Sequence, residues 1–245
     1  MKRRLLFDGS TTLLVKVCCI SSIDEAETAI EAGADAIGLV SAMPSGPGII
    51  ADDTIASIMA QVRGRAVTVL LTSRSTANAI EAQLERIRPD ILQVVDSTTT
   101  GELGTVRTRH PEMIVMPVVH VRDAQSLAQA VRLASSADAL LLDSGNPSAH
   151  VKELGGTGRT HDWQVSRAIC AAVSLPVFLA GGLRPDNVAD AIRTVRPSGV
   201  DVCSGVRRNG KLDRVLLAAF IAAARESTNG RAELRLIDTD TDTIP

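Results

Sequence analysis

The 245-residue sequence has no tyrosine, and with one tryptophan and three phenylalanines its aromatics amount to 2%. Single-stranded nucleic acid is gripped by stacking its bases on exposed rings, so that class of partner is excluded. An excess of positive charge is also missing. There are 26 Lys and Arg against 28 Asp and Glu, a net charge of −2, with both signs mixed along the chain. No basic surface is therefore offered to a phosphate backbone. No uninterrupted apolar stretch reaches membrane-spanning length, so no membrane partner is expected. The opening "MKRRLLFDGSTTLLVKV" is basic, but Asp8 and Gly9 break its apolar pieces, which does not make a signal peptide. The four cysteines, Cys18, Cys19, Cys170 and Cys203, form no CxxC pair, and no histidine stands at metal-ligand spacing. The expectation is a cytoplasmic protein with reduced thiols and no metal.

What the chain does have is a 45% hydrophobic content arranged as a regular alternation. Short apolar runs at 13–20, 36–40, 66–72, 91–95, 114–121, 139–143, 176–180 and 199–204 read as strands. Amphipathic segments lie between them, such as "SIDEAETAIEAG" (22–33), with Ile23, Ala26, Ala29 and Ile30 on one face. Asp52 or Asp53, Ser75, Asp123 and Asp186 stand where helix N-caps are expected. Eight strand–helix units in this length predict an α/β fold, a single-domain (β/α)8 TIM barrel. An open doubly wound sheet would want a glycine-rich turn after the first strand, and "CCISSIDEA" has no glycine. The barrel is expected over 13–226. Residues 1–12 form an N-terminal extension and 227–245 a polar tail expected to be disordered. Its "DTDTDT" lacks the glycine and terminal glutamate of a calcium loop.

In such a barrel the chemistry sits at the C-terminal ends of the strands. Strand one brings Cys18 or Cys19 there and strand six brings Asp143. Strands seven and eight end in "AGGL" (180–183) and "SGV" (204–206), where the barrel's usual phosphate site lies. Strand six is followed by a long loop, "SGNPSAHVKELGGTGRTH" (144–161), of the kind that closes over a substrate. Alternation along strand one sends Lys16 and Cys18 to the interior and Cys19 toward the helices, unless the strand has already ended. The doublet therefore reads as neither a redox pair nor half a metal site. Cys19 and Cys203 read as small fillers and Cys170 as a core residue.

These residues resemble the phosphoribosylanthranilate isomerase family of tryptophan biosynthesis. "KVCCI" is similar to that family's K-I-C-G opening, and "LLLDS" with "GGTGRTHDW" (155–163) to its strand-six aspartate and GGTG-x-x-x-DW loop. "LAGGLRPDNVADAI" (179–192) and "GVDVCSGVRRNGKLD" (199–213) match its last two units, so the resemblance covers about 14–222. It implies a cofactor-free Amadori rearrangement of an aminoaldose phosphate to an aminoketose phosphate. It further implies Cys18 as general base and Asp143 as general acid. Gly156, Gly158, Gly181, Gly182, Ser204 and Gly205 would hold the phosphate. A carboxylic acid kept protonated suits opening of the ribose ring, and a thiolate beside a cation suits removal of the C2 proton. Lys16 either supports that thiolate or is a core lysine paired with Asp201. The implied partner is a small phosphosugar, for a monomer or homodimer.

Two motifs depart from the resemblance. The family's S-P-R after strand two is "MPSGPGII" (43–50) here, without arginine, and its Q-L-H-G after strand four is "QVVD" (93–96). The arginine is understood to meet the substrate's aryl carboxylate. Arg74, Arg122 and Arg159 are the candidate replacements, and at least one is expected to point into the barrel mouth. Other chemistries of the scaffold remain as alternatives: an aldolase using Lys16 as a Schiff base, a metal-dependent epimerase using His120, or a silent phosphometabolite sensor.

Overall fold

A computed structural model describes residues 12–145, 158 and 160–237, with side chains to residue 227. The extension before Thr12, most of the loop after strand six including Gly156 and Arg159, and the "DTDTDT" end lie outside the described residues. Eight parallel strands close into one barrel in chain order: β1 (Leu14–Val17), β2 (Ala36–Val40), β3 (Val67–Thr72), β4 (Ile91–Val94), β5 (Ile114–His120), β6 (Leu140–Asp143), β7 (Val177–Leu179) and β8 (Gly199–Val202). Closure is made by β1 against β8, in a register that sets Lys16 beside Asp201 and Val17 beside Val202.

Helices α1 (Ile23–Glu31), α2 (Asp52–Val62), α3 (Ala77–Leu84), α4 (Thr100–Arg109), α5 (Gln125–Ala134), α6 (Trp163–Ala172), α7 (Val188–Val195) and α8 (Arg214–Ile237) ring it. The hydrophobic side chains divide accordingly. One cluster, including Val69, Leu71, Ile91, Met116, Leu141 and Phe178, fills the barrel. A larger one, including Val15, Leu70, Val115 and Leu142, packs the strands against the helices. Alternation along each strand produces this two-layer core. A short hairpin, β9 (Arg207–Arg208) with β10 (Lys211–Leu212), follows β8. The last helix continues to Ile237, so 227–237 is helical backbone beyond the boundary expected at residue 226.

Some caps fall one residue from their expected places. Ser22 caps α1 by accepting from the Glu25 N–H, but Thr76 rather than Ser75 caps α3. Ala51 and Ala124 precede α2 and α5 without a side-chain cap. Asp123 still accepts from the Gln125 N–H at 2.8 Å, and Asp186 instead pairs with Arg184. Each aspartate can meet the exposed N–H groups of a first turn from a neighbouring position, so composition locates the turn better than the cap.

Candidate active site

The strand ends enclose a cleft of about 630 Å³, lined by Cys18, Cys19, Gln93, Asp143, Asp201 and Cys203 among others. Its floor is a charged column. Lys16 is fully buried, and its Nζ lies 2.8 Å from Asp201 Oδ2. Burial acts to discharge the lysine, but Asp201 first and Cys18 after it outweigh that effect and hold its pKa above the ordinary lysine range. The column fits because β2 has glycine at position 38. A Cβ there would lie 3.0 Å from Cys18 Sγ and 3.1 Å from Lys16 Nζ.

Cys18 and Asp143 are shifted in opposite directions, each toward the other's range. A hydrogen bond from Cys19 holds the Cys18 thiol below the ordinary cysteine value against the effect of burial, and the Lys16 cation adds to this. Burial pushes the Asp143 carboxyl up, partly offset by the Ser144 N–H, which donates to its Oδ1 at 2.7 Å. One group is thus biased toward the anion and the other toward the neutral acid, the pairing that acid–base chemistry in one cleft requires. Two further polar atoms on the cleft's lining residues, Gln93 Oε1 and Asp201 Oδ1, are buried without a hydrogen-bond partner among the described residues. Gln93 was not singled out from the sequence, although it opens the "QVVD" stretch that stands where the family has Q-L-H-G.

Cys19 meets the exception allowed for strand one. The strand ends at Val17, and Cys19 takes a left-handed φ of 62° that turns it back toward the mouth instead of the helices. It lines the cleft beside Cys18. Cys203, expected as filler, lines the cleft as well. Cys170 is half-buried in α6, where burial pushes its thiol up to about 11.

At the other end Gly158, Gly181, Gly182 and Ser204 border the cleft. Gly158, Gly181 and Gly182 all have positive φ. Gly205 allows close approach: a Cβ on it would fall 1.9 Å from the Leu183 carbonyl oxygen. The N–H groups of Gly182, Ser204 and Gly205 have no acceptor among the described residues. Such a nest of free donors is what an anion takes up. The opposite rim is the β2–α2 loop, through Met43, Ser45, Gly46 and Pro47. Neither Arg74 nor Arg122 borders the cleft. Arg122 lines a separate cavity with Asp96, His120 and Gln129.

Residues 15–223 match the profile of N-(5'-phosphoribosyl)anthranilate (PRA) isomerase. The chain belongs to this family. The isomerase of Haloferax volcanii is 38% identical over 213 residues, 86% of this chain and 92% of that one. Among solved structures, phosphoribosylanthranilate isomerase from Thermococcus kodakaraensis is 30% identical with a TM-score of 0.72, covering 87% of this chain and 99% of its own. That from Thermotoga maritima is 26% identical with a TM-score of 0.76, covering 88% and 100%. The protein is thus an isomerase family member of tryptophan biosynthesis, and its single barrel is the family's fold. No helix of the described residues is long and apolar enough to cross a membrane.

Proposed function

We propose that this isomerase converts N-(5'-phosphoribosyl)anthranilate to its aminoketose phosphate, with Asp143 as general acid and Cys18 as general base. The observation that carries the assignment is the opposite bias of the two groups in one cleft. Asp143 delivers its proton to the ribose ring oxygen and the C1–O bond breaks, leaving an iminium at C1. The iminium acidifies the C2 proton, the Cys18 thiolate removes it, and the enolamine relaxes to the ketone. Lys16, charged through Asp201, stabilises the thiolate from below.

The phosphate is held by backbone donors around Gly156, Gly158, Gly181, Gly182, Ser204 and Gly205, and sugar hydroxyls meet Gln93 and Asp201. A protonated Lys16 engaged with Asp201 is a poor Schiff-base nucleophile, which disfavours the aldolase alternative. The aryl carboxylate takes its countercharge from Arg159, the remaining one of the three expected arginines. The substrate is a small molecule and the working form a monomer or homodimer in the cytoplasm, without nucleic acid. Complementation of a tryptophan auxotroph lacking this isomerase tests the reading. Growth is expected with the parent and none with Cys18→Ala or Asp143→Ala. Failure of the parent would move the assignment to another N-glycoside phosphate.

A further inference from the structure

Two sulfurs at the mouth, those of Cys203 and Cys19, lie 2.7 Å apart, with Cys203 donating to Cys19. Cys19 adjoins Cys18 in the chain and lines the same cleft, and its thiol is held well above the ordinary cysteine value. Three thiols are thus gathered at the proposed base. A disulfide needs its sulfurs about 2.05 Å apart, so closure asks for a movement of only about 0.7 Å. The two backbones are already fixed next to each other. Cys19 and Cys203 follow paired strands whose last register is Val17 with Val202, and the Cys18 N–H donates to the Val202 carbonyl at 2.8 Å. Neighbouring strands lie about 4.7–4.9 Å apart, inside the Cα span a disulfide bridges.

The turn that presents Cys19 is held as well. Arg207 Nη2 donates to the Cys19 carbonyl at 2.5 Å, and its other nitrogen pairs with Glu25 Oε1 at 2.8 Å. This places a guanidinium beside both thiols. Access is provided by the cleft, which both cysteines line. Cys203 is only half-buried, whereas Cys19 is 5% exposed.

We propose that Cys19 and Cys203 are a reversible oxidation site, closing to a disulfide under a hydroperoxide and thereby disarming Cys18. The Cys203 thiolate attacks the peroxide: an S–O bond forms, the O–O bond breaks, and the departing hydroxide takes a proton to become water. The Cys19 sulfur then attacks the sulfenic sulfur as its proton passes to the departing oxygen, forming S–S and releasing a second water. Two thiol protons and two electrons from the sulfurs thus reduce one peroxide to two waters. The cost to catalysis follows from the backbone. Cys19 adjoins Cys18 in the chain, so drawing its sulfur onto Cys203 shifts the turn that carries the base. A small-molecule dithiol reverses the bond by exchange.

The test uses the purified full chain treated with hydrogen peroxide, quenched, alkylated and digested for mass spectrometry. Cys18 and Cys19 share a tryptic peptide, so fragment ions must assign the sulfur. The expected result is a Cys19–Cys203 cross-linked pair, lost on dithiothreitol. It should be absent from Cys203→Ser and Cys19→Ala, two separate variants that guard against misfolding of either. Turnover of phosphoribosylanthranilate should fall about a hundredfold on oxidation and return on reduction. Each variant should keep most of its own untreated rate. Oxidised Cys18 with Cys19 and Cys203 both free would overturn the proposal, as would a cross-link that leaves turnover unchanged. The turnover arm rests on the proposed isomerase reaction. The cross-link does not, so the two readings fail separately.

Discussion

Cys19 lies beside the proposed base Cys18 in the cleft, and that gives the proposed mechanism a residue-level signature. Cys18 acts as a base only when deprotonated and Asp143 as an acid only when protonated. The rate therefore rises with pH through the Cys18 pKa and falls through that of Asp143. With Cys18 lowered and Asp143 raised, the rising limb should lie below the ordinary cysteine value and the falling limb above the usual carboxylate range. Cys19→Ala removes the donor to Cys18. In a kcat/KM profile its rising limb should move to higher pH while the falling limb stays in place. An unmoved rising limb would show that Cys19 does not position the base. Lys16→Met should destabilise the barrel by about 3–5 kcal/mol in urea unfolding, because it strands a buried Asp201 charge. At this scale the sequence was legible where residue type and strand parity agree, as at Lys16, Cys18 and Asp143. Parity alone could not place Cys19, because the strand ends at Val17.

The strand–helix units recover most of what apolar periodicity predicts, because both-face burial makes parallel strands near-continuous apolar runs. Every expected strand is present, shortened by a residue or more at its ends in most cases. Helix faces were less legible. Ala26 and Ala29 of α1 are buried as expected, while Ile23 is 41% exposed. The segment from β8 into Ser204–Val206 is the element most sensitive to side-chain volume. Gly205→Ala puts a Cβ against the Leu183 carbonyl, and the segment must shift. A stability loss of about 1–3 kcal/mol is expected. Inorganic phosphate should also inhibit the variant several-fold less well than the parent, as measured by competition. Unchanged phosphate inhibition would remove this segment from the phosphate site.

Across the whole molecule the cleft is polarised. The end proposed for the phosphate carries backbone donors in the turns after β7 and β8, the floor carries the charged column, and the β2 rim is Met43, Ser45, Gly46 and Pro47. No arginine of the described residues borders it. The absence of the expected arginine from "MPSGPG" was plain in the sequence, but its replacement was not, since loop reach cannot be read from spacing. Arg159→Ala should raise KM for phosphoribosylanthranilate about tenfold or more with kcat largely kept, the pattern of lost uniform binding. Arg74→Ala and Arg122→Ala should leave KM near the parent value. The most direct test of the central claim is steady-state turnover of N-(5'-phosphoribosyl)anthranilate by the purified chain, set against Cys18→Ala and Asp143→Asn. The account predicts turnover by the parent and losses of about 10²–10⁴-fold in kcat for each variant at little-changed KM. Turnover that survives either substitution at the parental rate would contradict it.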